Sequence, residues 1–133
     1  MIVNINSRFG IGTQLLQPTS PLGPVHEAPV VGTAPNGEEV VLNHPKGQRS
    51  RFELVRDFVA GTPTYIGKRG PVSVQEQVAI QARAFQVAGK PYDLVFWNCE
   101  HSSTFIRTGK PESLQLAIGV GLVALLFVWA VTR

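Results

Sequence analysis

From Leu116 to Val131 the chain reads LAIGVGLVALLFVWAV, every residue apolar or glycine, and this run restricts what the molecule can become. A helix that is apolar on all faces must be enclosed, either by protein or by lipid. A chain of 133 residues has little material with which to enclose it. With Leu114 adding a turn beyond Gln115, the segment makes roughly 27 Å of helix at about 1.5 Å per residue, just under the thickness of a bilayer's hydrocarbon core. The sequence therefore predicts a C-terminal transmembrane helix, with residues 113–133 as a membrane anchor and 1–112 as one folded domain. Trp129 falls near one end of the run, where an indole prefers the interface, and Arg107 and Lys110 flank the other. That charge places the domain on the cytoplasmic side of a tail anchor inserted after synthesis, although Arg133 opposes the bias. Gly119 and Gly121 lack the four-residue spacing of a helix-dimerisation stripe.

The remainder is folded rather than disordered, since 44% of the residues are hydrophobic and 16% charged. A formal charge of +3 suits a membrane surface, and no long basic run or arginine-rich helix points to nucleic acid. Lys46, Arg49 and Arg51 form a short basic cluster that suits either lipid phosphate or an ordinary solvated face. Met1 to Gly12 mixes polar and charged residues and is not expected to be a signal peptide.

Three strands are predicted first, at Gly12 to Gln17, Val25 to Val31 and Glu38 to Asn43, with Pro35-Asn36-Gly37 turning the last two into a hairpin. Folding that hairpin brings His26 and His44 together. Ser50-Arg51-Phe52-Glu53 has the form of a capping box and predicts a short helix ending near Gly61 and Pro63. Thr64 to Ile66 reads as an edge strand, and Lys68 to Pro71 as a loop. A second box, Ser73-Val74-Gln75-Glu76, opens a longer helix that ends at Gly89 and presents Val74, Val78, Ala82 and Phe85 on one face. A strand over Tyr92 to Trp97 then leads into Asn98, a good N-cap, with a helix running to about Arg107.

Cys99, the only cysteine, thus falls in the first turn of a helix. It has no partner for an internal disulfide, so its role is either that of a small buried hydrophobe or that of a nucleophile. Helix N-terminal N–H groups favour a thiolate and lower its pKa, and the same groups can stabilise an oxyanion on an attacked carbonyl. His101 lies about 200° around the helix from Cys99 and is assigned a structural role. Glu100 complements the helix dipole. Three histidines and one cysteine include no close ligand pair, so neither a metal nor another cofactor is expected.

Tyr92-x-Leu94-x-x-x-Asn98-Cys99-Glu100-His101 resembles the signature of the lecithin retinol acyltransferase-like family, and more narrowly its small phospholipase A and acyltransferase branch, the H-box/NC proteins. Gly23-Pro24-Val25-His26-x-Ala28-x-Val30-Val31-Gly32, followed by Val40-Val41-x-x-His44, is similar to that family's H-box. The resemblance covers residues 12 to 131 and includes the terminal anchor. It implies an α+β fold of the permuted papain-like, NlpC type, with a small antiparallel sheet packed on helices. The chain departs from the pattern at Glu27 and Ser102, where aromatics are usual, and at Pro24, where the branch has a tyrosine.

What the resemblance implies chemically is acyl transfer through a thioester. Cys99 is the nucleophile and His26 the base. His44 orients the His26 ring, with Asn43 as the alternative third member, and the Cys99 backbone N–H contributes to the oxyanion hole. The substrate expected is a phospholipid or other acyl-ester lipid of the bilayer, with the acyl group passed to water, an amine or a hydroxyl. A thiol peptidase or amidase and a non-enzymatic membrane adaptor are the competing expectations.

Overall fold

The computed structural model describes residues 8–19, 24–70, 73–94 and 97–132. Expectations for Met1 to Ser7, Gly23, Pro71 and Arg133 lie outside them. The domain is α+β, and its five-stranded antiparallel sheet has the order β4-β3-β2-β1-β5. Strands β1 (Gln14–Pro18), β2 (Val25–Thr33) and β3 (Glu39–Asn43) match the three predicted, and β5 (Tyr65–Ile66) is the edge strand beside β1. The β2–β3 hairpin turns at Asn36, whose Oδ1 accepts from the Glu38 N–H, and at Gly37, whose φ of 85° suits glycine alone.

Two apolar layers sandwich the sheet. Leu15, Ala28, Val30 and Val41 face Val55, Phe58 and Val59 of α1 (Val55–Val59). On the other side, Val31 and Leu42 meet Ile80, Ala84 and Val87 of α2 (Val74–Val87) and Ile106 of α3 (Cys99–Thr108). The alternation along β2 and β3 is the period of two that a sheet covered on both faces requires.

β2 changes character at Pro29. The Val30 N–H donates to Thr13 on the β1 side, so by alternation the nitrogens of Val25, Glu27 and Pro29 point toward β3. Proline has no N–H to offer there. Pairing with β3 begins only at Val30 and shifts register before Gly32, whereas Val25 to Pro29 pair with β1 alone. The amino-terminal half of β2 thereby keeps a free edge on its β3 side.

Three expectations need correction. Residues Arg51–Leu54 form strand β4 rather than the start of a helix, and α1 begins only at Val55. Four register pairs with β3 outweigh a local cap, and Ser50 instead accepts from the Lys90 N–H and donates to the Val87 carbonyl at the end of α2. Helix α2 starts at Ser73 as expected, with its Oγ accepting from the Glu76 N–H, but it buries the opposite stripe. Ile80, Ala84 and Val87 face the sheet, while Val74, Val78, Ala82 and Phe85 are exposed. Alanine at 84 is small enough for close helix-to-sheet approach, and Phe85 packs instead against Phe52 on the surface. Finally, no strand forms among the described residues of Tyr92 to Trp97. Asp93 and Trp97 exchange backbone hydrogen bonds as an isolated bridge, and residues 95 and 96 lie outside the described set.

The apolar run forms α4 (Leu114–Thr132), a helix of 19 residues with mean hydropathy 2.4 and no buried residue. It is long and apolar enough to cross a membrane. Arg107 is not a free flanking cation, because its Nε donates to the Gly12 carbonyl inside the domain.

Candidate active site

Asn98 caps α3 as its sequence position predicts. Its Oδ1 accepts from the N–H groups of Glu100 and His101, at 2.9 and 3.0 Å, and His101 Nδ1 accepts in return from the Asn98 N–H. His101 is thus the reciprocal half of a capping box and is buried against Trp97. Burial holds its pKa below the ordinary value, which keeps Nδ1 free to accept. With those two N–H groups taken, the Cys99 N–H is the one in the first turn that has no partner among the described residues.

The Cys99 thiol lies beside the free edge of β2, next to the Glu27 backbone N–H. Its pKa is raised, against the expectation from its helix position. Burial is the main cause, and the carboxylates of Glu27 and Glu100 add to it. The adjacent backbone N–H groups of Glu27 and Glu100 pull the other way without overcoming the loss of solvent.

His26, one residue before Glu27, points to the α1 side, where its ring packs 5.9 Å from that of Phe58. Its Nε2 is 2.7 Å from Asn43 Oδ1, and Asn43 Nδ2 donates to Glu53 Oε2 at 2.7 Å. A carboxylate only accepts, so Asn43 must present its amide nitrogen to Glu53 and its oxygen to His26. The imidazole therefore carries its proton on Nε2 and keeps a lone pair on Nδ1. Burial lowers the His26 pKa despite the opposing Asn43 hydrogen bond and Glu53 charge, which makes the neutral ring the resting form.

The expectation that His44 orients His26 gives way at this point. Asn43, the last residue of β3, and His44, just beyond it, turn to opposite sides of the sheet. Asn43 meets His26, whereas His44 Nδ1 is 2.7 Å from the Ser102 hydroxyl on α3, and its ring stands edge-on to Tyr92. Ser102 Oγ also accepts from Trp97 Nε1, leaving its proton for His44. Among the described residues the buried His44 Nε2 has no hydrogen-bond partner, and burial lowers the His44 pKa, with His26 contributing.

Several site residues were not singled out from the sequence. Glu53 backs Asn43. Glu27 is 5% exposed and bonded to Gln14 through Oε2, and among the described residues its buried Oε1 has no hydrogen-bond partner. Burial pushes its pKa up to about 7. A lone carboxylate inside an apolar strand was the signal available for Glu27. Glu100, the acidic residue in the first turn of α3 as expected, has a second role at the start of α4 that the sequence did not suggest: it accepts from Ser113 Oγ, from the Leu114 and Gln115 N–H groups and from Gln115 Nε2. Gln115, the one polar residue interrupting the apolar run, also bonds both the N–H and the carbonyl of Val25.

A cavity of about 520 Å³ opens at Cys99, within the size range of small-molecule sites. Tyr92 and Leu94 form one wall, and Leu116, Gly119, Val120 and Val123 of α4 the other. Among the described residues, no cluster of three or more histidine, cysteine or carboxylate side chains is placed to hold a metal. No protein-family model matches the chain, and no curated protein matches it.

Proposed function

We propose that the protein is a membrane-anchored, cysteine-dependent lipid hydrolase or acyltransferase on a permuted papain-like scaffold, with Cys99, His26 and Asn43 as its catalytic set. One observation carries this reading. The His26 ring is held through Nε2 by Asn43, itself held by Glu53, which leaves the basic Nδ1 unused, and the next residue along β2, Glu27, brings its backbone N–H to the Cys99 thiol. Cysteine, histidine and asparagine in these roles make up the triad of papain-like enzymes.

His26 Nδ1 takes the Cys99 proton as the sulfur attacks the ester carbonyl. The developing oxyanion is assigned to the N–H groups of Cys99 and Glu27, the latter beside the thiol. Collapse breaks the carbon–oxygen bond, His26 returns the proton to the departing alcohol, and a thioester remains on Cys99. Water, an amine or a hydroxyl then attacks the thioester while His26 takes its proton, and the thiol is restored. The raised thiol pKa fits a neutral resting pair in which the proton moves only as the substrate reacts. His44 is removed from the catalytic set and held by Ser102, one of the residues at which the chain departs from the resembled family.

Asn43 in place of a second histidine also favours a peptidase or amidase. The apolar cavity walled by α4 favours a lipid. Intact protein incubated with phosphatidylcholine and phosphatidylethanolamine liposomes should release fatty acid and lysophospholipid, or form N-acylated lipid, by mass spectrometry. Cys99→Ala should lose the product by at least ~10³-fold. Equal product from Cys99→Ala would sink the proposal, and Cys99-dependent cleavage of peptides alone would move it to the amidase.

A further inference from the structure

An apolar anchor on a flexible tether would leave the catalytic domain indifferent to its membrane helix. Here the junction is locked. Glu100, next to Cys99, receives four hydrogen bonds from Ser113, Leu114 and Gln115, between 2.8 and 3.2 Å. The Gln115 amide then docks on the edge of β2 that Pro29 leaves free, accepting from the Val25 N–H at 2.9 Å and donating to its carbonyl at 3.2 Å. The first turn of α4 is therefore hydrogen-bonded to both elements that carry the proposed catalytic pair.

Beyond this clamp, Leu116, Gly119, Val120 and Val123 recur at the spacing of a single helical stripe, and that stripe lines the cavity at Cys99. From Leu116 to Val123 it extends roughly 10 Å along the helix. A Cβ built on Gly119 would meet nothing within 4 Å, so the glycine leaves open space in the middle of this wall. The cavity thus runs from a thiol along a helix whose composition suits hydrocarbon.

We infer that α4 is one wall of an acyl-chain site: the fatty chain of a bilayer lipid lies between Leu94 and the Leu116, Gly119, Val120 and Val123 stripe, entering along the helix from the membrane. This rests on the lipid-enzyme proposal and deepens it. Gly119 is then a specificity determinant, and Glu100 and Gln115 are positioning residues that keep the wall at a fixed distance from Cys99.

The test uses the full chain in mixed micelles and compares kcat/KM for a phosphatidylcholine with long acyl chains and for one with butanoyl chains. Gly119→Leu places a branched side chain in the open space. The long-to-short ratio should fall by about tenfold or more, as expected for forcing bulk into an occupied site. Gly121→Leu, on the same helix but off the stripe, should leave the ratio at its wild-type value. An unchanged ratio in Gly119→Leu, or an equal fall in both variants, would overturn the inference. Wild-type protein with no Cys99-dependent cleavage of either lipid would instead remove the enzyme proposal beneath it.

Discussion

The two halves of β2 differ more than their common strand suggests. From Val30 to Thr33 the strand pairs with β3, Val30 also exchanges backbone hydrogen bonds with Gly12 and Thr13 just ahead of β1, and Val30 and Val31 enter the two apolar layers. From Val25 to Glu27 it pairs with β1 alone, and its other edge is taken by Gln115 and by the surroundings of Cys99. The paired half holds the fold and the released half holds the candidate chemistry. The difference turns on one missing N–H, at Pro29, which ends the ladder where polar groups are needed.

The sharpest probe of this contrast is Glu27. Its folded pKa of about 7 exceeds the ordinary 4.5, so the native state holds a proton that the unfolded chain releases. Its favourable contribution is full below about pH 4.5, declines as pH rises through the window to about 7, and is flat above it. The shift corresponds to about 3 kcal/mol. Urea unfolding at pH 5 and pH 8 should show a decline of about 2.5 kcal/mol in wild type and little decline in Glu27→Gln. The same variant should ease ionisation of Cys99, seen as alkylation at lower pH. A Glu27→Gln protein with the wild-type pH slope would show that the carboxylate ionises without penalty.

Next in size is the contest between the neighbours Asn43 and His44. Asn43→Ala releases the His26 ring, and kcat/KM should drop roughly 30-fold, the equivalent of about 2 kcal/mol in the transition state. His44→Ala should lose stability through its Ser102 contact while keeping kcat/KM within about threefold. Equal kinetic losses would return His44 to the catalytic set.

The smallest effect belongs to the paired half. Val31→Ala removes two buried carbons, and the transfer term is about 1.6 kcal/mol of stability. Thermal unfolding should register that loss while the Cys99 alkylation rate stays at its wild-type value. A slower alkylation rate would mean that the two halves of β2 do not act separately.

Local features were legible where the physics is local. A cap spans three residues, so Asn98 and Ser73 could be placed from sequence, and uninterrupted hydropathy announces α4 without tertiary information. The partner of His26 could not be read in the same way. Adjacent strand residues project to opposite faces, and a one-residue change of register exchanges them. The sequence therefore favoured His44, with Asn43 as the alternative, until β3 was set against β2 and β4. The buried side of α2 was ambiguous for a related reason, because two apolar stripes coexist and only the shape of the opposing sheet chooses between them.

By itself, the sequence determined that there is a membrane-length helix, that a small sheet and helices precede it, and that a lone cysteine opens a capped turn. Only the tertiary structure decided that burial outweighs the helix terminus at Cys99, that Asn43 rather than His44 meets His26, and that Glu100 and Gln115 join α4 to the candidate site. Each of these depends on groups far apart in the chain, whose desolvation and hydrogen bonds exist only once β2, α3 and α4 have come together.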